Sequence, residues 1–124
     1  MDPSLSWRVL GMIAAGGMLG ALARYGLTQL WSGTIWAVWL INVTGCFAIG
    51  VLMVLIARHW PGRTLIRPFW GVGVLGGYTT FSTAGVDVLR AAPATGLAYC
   101  AATLIGALLA VWLGTALTEA AVRP

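Results

Sequence analysis

Four long apolar stretches, each near the length that crosses a bilayer, account for almost all of this sequence. A spanning helix needs about 20 largely apolar residues, and the runs 5–30, 34–57, 68–89 and 95–121 meet that requirement. Turn and loop signals separate them: Ser32-Gly33, then a polar stretch holding His59, Pro61, Gly62, Arg63, Arg67 and Pro68, then Arg90 with Pro93. Trp7, Trp31, Trp36, Trp60 and Trp70 fall near predicted helix ends, where an amphipathic ring sits at the headgroup level. Short connections make successive spans antiparallel neighbours. The pattern predicts a single domain over 1–124, an all-α up-down-up-down bundle of four transmembrane helices with both termini on one side.

Composition agrees with lipid as the solvent. Soluble domains carry about 25% charged residues, whereas this chain carries 8%, with 60% hydrophobic residues. Its net charge of +4 comes from arginines, since lysine is absent. They are scattered between apolar runs without a patch, so nucleic acid is not an expected partner, and an anionic membrane surface is the simpler one. Arg8, Arg58, Arg63, Arg67 and Arg123 fall on the side of the termini, with Arg90 and Arg24 toward the other. The positive-inside rule then places the termini in the cytoplasm. Cys46 and Cys100 lie in apolar runs without disulfide or metal spacing and read as small buried hydrophobes. Asp2 and Pro3 precede the first run without a small-residue cleavage site, so no cleavable signal is expected.

Glycine occurs 17 times, more than turns require. Gly16 and Gly20, like Gly73 and Gly77, form small-xxx-small pairs that let membrane helices approach closely. The run Gly71-Val72-Gly73-Val74-Leu75-Gly76 matches a dinucleotide fingerprint, but no strand precedes it and its flanks are apolar. Asn42-Val43-Thr44 matches a glycosylation sequon, yet its mid-span position excludes that chemistry.

Polar groups inside a span need a partner or a purpose. Arg24 either snorkels to the interface or sets a permanent positive charge at the mouth of an anion path. Asn42 offers two amide donors, for a neighbouring helix or for an anion. The segment Gly76-Gly77-Tyr78-Thr79-Thr80-Phe81-Ser82-Thr83 puts a glycine pair and a run of hydroxyls in mid-span. It predicts a helix broken near its middle, which survives at membrane depth only when buried in protein or lining a cavity. Asp87 belongs in an aqueous vestibule or pairs with Arg90. Tyr99 and Thr103, four residues apart, share a helix face.

Together these motifs resemble the small bacterial fluoride channels called Fluc or CrcB. The likeness spans the whole chain and rests on Gly17-Met18-Leu19-Gly20-Ala21-Leu22-Ala23-Arg24-Tyr25, on Asn42-Val43-Thr44-Gly45-Cys46-Phe47-Ala48-Ile49-Gly50, and above all on residues 76–83. The resemblance implies an antiparallel, dual-topology homodimer in a bacterial inner membrane, with two fluoride paths built from both chains. It implies a structural Na⁺ on the two-fold axis, held by the backbone carbonyls of Gly76 and Thr79. Asn42, Phe81, Ser82, Thr83, Tyr99, Thr103 and Arg24 would line the anion path, with Asp87 in the vestibule. Two positions depart from the family pattern: Ala84 stands where a second pore phenylalanine is expected, and Ala107 where the hydroxyl track continues. The arginine bias also runs against dual topology, which needs little orientation preference.

No ATP or haem motif suggests an energy source, so passive conduction is the economical mechanism; the resemblance implies a channel and not an enzyme, exporting fluoride under acid load. Two other classes compete. A small multidrug-type proton-coupled transporter needs a carboxylate deep in the first span, where this chain has only Arg24. A non-transporting assembly subunit accounts for the glycine pairs but not for residues 76–83.

Overall fold

The structure is a computed structural model and describes residues 5–123. Asp2 and Pro3, on which the signal-peptide argument turned, lie outside the described residues. Five α-helical segments and one π-helical segment follow in order: α1 Trp7–Leu30, α2 Ile35–His59, π1 Arg67–Leu75, α3 Gly76–Tyr78, α4 Phe81–Arg90 and α5 Pro93–Ala121. The described residues contain no strand.

Helix ends follow from local chemistry. The Ser6 hydroxyl accepts from the Val9 amide at 3.3 Å and starts α1. The Thr34 hydroxyl accepts from the Trp36 amide at 3.2 Å and starts α2. Such caps satisfy amides that have no helical partner. The α1–α2 turn closes at Gly33, whose φ of +88° is costly for any residue with a Cβ. Arg58 and His59 close α2, where cations suit the helix dipole. Pro93 behaves differently from its reading as a break: it sits in the first turn of α5. There its missing N–H costs nothing and its fixed φ suits the helix.

Three helices, α1, α2 and α5, are long and apolar enough to cross a membrane. The chain is therefore a multi-pass membrane protein. The region 67–90 is also apolar but is divided among π1, α3 and α4.

Packing departs from simple sequence neighbours. α1 lies mainly along π1 and α3, and α2 mainly along α5, while α1 and α2 touch little. The predicted glycine pairs explain the first contact, because they face each other. A Cβ on Gly16 would meet the Phe69 carbonyl oxygen, one on Gly77 the Gly17 carbonyl oxygen, and one on Gly20 the Val74 carbonyl oxygen. On the α2–α5 side, Gly50 and Gly114 play the same part against the Val111 and Phe47 carbonyls. Small residues thus bring backbones to near contact, where dispersion replaces the hydrophobic drive that lipid cannot supply.

The buried core is small. It gathers Val38, Ala84 and Tyr99, with Ile35, Trp39 and Val88 packed on it. Cys46 is half-buried and Cys100 is exposed, so the expectation of two buried thiols fails for Cys100. That residue lies with Leu97 and Leu104 on the outer face of α5, a face that needs only to be apolar.

Candidate functional site

The site is built where α3 stops. Tyr78 ends α3, and Thr79 (φ −79°, ψ 158°) and Thr80 (φ −147°, ψ 122°) are extended before Phe81 opens α4. Two extended residues in mid-span free several backbone groups, and three of them, the Thr79 carbonyl and both backbone groups of Thr80, find a partner from a distant helix. Asn42, 7% exposed, donates through Nδ2 to the Thr80 carbonyl at 2.9 Å. Its Oδ1 accepts from the Thr80 amide at 2.8 Å. The carboxamide thus takes the place of a peptide group opposite Thr80. Arg24 Nη1 donates to the Thr79 carbonyl at 3.0 Å. The Thr80 hydroxyl accepts from the Thr83 amide at 3.2 Å, capping α4, and donates to the Thr83 hydroxyl at 3.1 Å.

These contacts add a structural part to two of the residues. Arg24, expected at the interface or at a pore mouth, is half-buried and tied to backbone. One donor of Asn42 is committed to Thr80, which leaves its second Nδ2 hydrogen as the donor open to an anion.

Beside this junction an open groove of about 500 Å³ runs between α1, the start of α2 and α4. Arg24, Thr28, Thr34, Thr80, Thr83 and Asp87 supply most of its polar lining. The structure therefore gathers Arg24, Thr83 and Asp87, as the sequence suggested, and adds Thr28, Thr34 and Thr80. In the sequence Thr34 stands only as the start of the second span and Thr80 only as one of the mid-span hydroxyls of residues 76–83.

The remaining candidates lie elsewhere. Tyr99 is 1% exposed and packs edge-on against Trp36, with ring centroids 5.9 Å apart. Its hydroxyl and that of Thr103 are buried with no hydrogen-bond partner. Two orphaned hydroxyls one turn apart are costly unless something binds them. Ala84 packs directly into this core, where a phenylalanine would find Tyr99 and Val38 already in place. Phe81 lines no part of the groove within its own chain and is 91% exposed. Ser82 is exposed beside it, its hydroxyl 3.4 Å from that of Thr80.

Gly76 and Thr79 border a separate hollow of about 190 Å³ with Gly45 and Cys46. In an unbroken helix the Gly76 carbonyl would receive the Thr80 amide, but that amide goes to Asn42. The Thr79 carbonyl would receive the Thr83 amide, but that amide goes to the Thr80 hydroxyl. Both oxygens are hard donors of the kind a small cation takes. On Thr79 the Arg24 guanidinium already holds one lone pair. The donor chemistry of the two carbonyls fits a cation such as Na⁺, with a competing positive charge at the Thr79 carbonyl.

A family model described as CrcB-like protein, Camphor Resistance (CrcB), matches residues 11–115, a range that contains the whole junction. This chain belongs to the CrcB-like family. Among its relatives, the fluoride-specific ion channel FluC 2 of Nocardia farcinica is 48% identical over 121 residues, covering 91% of this chain and 86% of its own. FluC 2 of Thermobifida fusca is 51% identical over 115 residues, covering 86% and 85%. FluC of Rhodospirillum centenum is 45% identical over 120 residues, covering 89% and 94%. The CrcB-like match thus rests on near-complete chains.

Proposed function

We propose that this protein is a fluoride-selective channel of the bacterial plasma membrane that lets fluoride leave the cell down its gradient. The observation that carries this reading is the Thr79–Thr80 junction, pinned by Asn42 and Arg24 at the foot of a hydroxyl-lined groove, in a chain whose relatives bear the name of fluoride channels.

Fluoride is small and holds its water tightly, so a dry path must offer donors in its place. The Arg24 guanidinium draws anions toward the groove, while the hydroxyls of Thr34 and Thr83 have a hydrogen to offer; that of Thr28 goes to the Tyr25 carbonyl at 2.8 Å. The unpartnered hydroxyls of Tyr99 and Thr103 are further donors in a region closed to water. Many weak sites in series suit conduction better than one strong site.

Residues 67–90 act as an interrupted third crossing, and two such chains associate as an antiparallel, dual-topology homodimer. The exposure of Phe81 supports this assembly, since a second chain would cover the ring and turn it into a path wall. A phenyl edge is positive and its face negative, so the edge is what the anion meets. Na⁺ at the dimer centre would be held by Gly76 and Thr79 carbonyls, and its charge would brace two facing junctions.

Purified protein in liposomes loaded with fluoride and chloride tests the reading. Fluoride should leave well ahead of chloride, as read by ion-selective electrodes; equal rates, or no release, would reject the channel. In the same assay Phe81→Ile should slow fluoride about fivefold, the value of an edge contact near 1 kcal/mol at the barrier. An unchanged rate would remove Phe81 from the path.

A further inference from the structure

The arginines at the end of the molecule where α1 begins are unused by the channel reading, and the fold brings three of them together. The α2–π1 loop turns sharply, with the Arg63 amide donating to the Trp60 carbonyl at 3.1 Å. This folds the loop back toward the first turn of α1. Two cavities form there. One, of about 550 Å³, is lined by Ser6, Arg8, Thr64 and Arg67 among others; its neighbour, of about 410 Å³, is lined by Arg8, Arg63 and Thr64. They share Arg8, Thr64 and Leu65, so they form one continuous cup. Among the described residues neither lining includes a carboxylate.

We propose that this cup holds the phosphate of an anionic phospholipid headgroup. Arg8 borders both hollows, with Arg67 on the larger and Arg63 on the smaller, and guanidiniums favour phosphate, which takes their forked donors two at a time. The position selects a lipid over a soluble anion. Trp7 at 79% exposed and Trp70 at 49% mark the headgroup level at this end. Val9, Leu65 and Pro68 give the larger cavity an apolar part of its lining, and Leu5, just before α1, and Leu10 within it are exposed at the same end. A headgroup in the cup would therefore lay its acyl chains on a surface already suited to them. None of the three arginines belongs to the groove or to the Thr79–Thr80 junction, so the inference stands apart from the channel.

Native mass spectrometry of the full chain in detergent, titrated with phosphatidylglycerol and separately with phosphatidylcholine, tests it. Phosphatidylglycerol should bind more tightly, and Arg8→Gln with Arg63→Gln and Arg67→Gln should weaken it roughly 100-fold, from about fivefold per arginine near a headgroup. Arg58→Gln with Arg123→Gln removes two charges at the same end outside both cavities and should change binding less than about threefold. An equal loss per arginine in this control, about 25-fold for the pair, would mean diffuse attraction rather than a site, and would overturn the proposal. So would displacement of the lipid by inorganic phosphate alone, which would mark a soluble-anion site. Binding that emerges only in Asp2→Asn would assign the cup to the chain's own carboxylate and would overturn it as well. Retained fluoride efflux in the triple variant shows that it is folded; a triple variant without efflux is replaced by the three single changes, each expected to weaken binding about fivefold.

Discussion

Asn42→Ala should abolish fluoride efflux, by at least about 100-fold, and should destabilise the protein together with it. The carboxamide serves both backbone groups of Thr80 at 2.8 and 2.9 Å, across 38 residues of sequence. Alanine leaves an amide and a carbonyl unpaired at a buried position, Asn42 and Thr80 being 7% and 8% exposed. Each costs about 1–3 kcal/mol on protein scales, so the loss is about 2–6 kcal/mol. The chain has one economical escape: Thr80 can return its amide to the Gly76 carbonyl and restore a regular helical turn. That repair would move Thr83 and Phe81, straighten the junction and close the route beside it. A rise of about 2.7 kcal/mol in the barrier already gives the 100-fold loss. Asn42→Asp separates the two roles. Its carboxylate still accepts from the Thr80 amide but has no hydrogen for the Thr80 carbonyl, and it sets a negative charge beside an anion path. Its second oxygen faces the Thr80 carbonyl without a hydrogen between them at a buried position, so it should be no more stable than the alanine variant and equally closed to fluoride. Efflux from proteoliposomes and thermal unfolding followed by tryptophan emission measure both. Wild-type values for Asn42→Ala in both assays would show that the junction does not depend on this amide.

What could be read from the sequence follows the range of the interactions involved. The spans and the Ser32-Gly33 turn are set by residues within a few positions of one another, and the sequence shows the spans within two residues of the observed ends of α1, α2 and α5. Gly76-Gly77 and the hydroxyl run were readable as a weak point in a span for the same reason. The partner that answers the weak point was not, because Asn42 meets Thr80 only after α2 has been placed against α4. Arg24 illustrates the same limit: its position suggested an interface or a pore, and the fold gives it the Thr79 carbonyl. The π-helical winding of 67–75 has no sequence signal here beyond Pro68 at its start and glycines within it. Phe81 was identified by motif, yet its exposure concerns a surface that one chain cannot bury. The sequence also suggested that neighbours in the chain would be neighbours in the bundle. Glycine spacing proved the better guide, since Gly16, Gly17 and Gly20 take α1 to π1 and α3 instead of α2.

That glycine contact yields the second large effect. Gly20→Ala should prevent accumulation of folded protein, because its methyl would run into the Val74 carbonyl oxygen and lie 2.8 Å from the Tyr78 amide nitrogen. Both obstacles are backbone, so no rotamer change relieves them, and α1 must move away from π1 and α3 along its length. Overpacking of side chains costs about 1–3 kcal/mol, and a clash against two backbone groups at a small-residue interface lies at or above the top of that range. Displacing α1 would also draw Arg24 from Thr79, so surviving protein should conduct poorly. Gly11→Ala and Gly26→Ala are the controls. Nothing lies within 4 Å of a Cβ at either position, and alanine is the better helix former by about 1 kcal/mol, so both should keep or raise stability. Size-exclusion profiles and melting temperatures of the three variants decide the matter. If Gly20→Ala behaves like Gly11→Ala, the close approach of α1 to π1 is not what holds these helices together, and the position of Arg24 against Thr79 needs another cause.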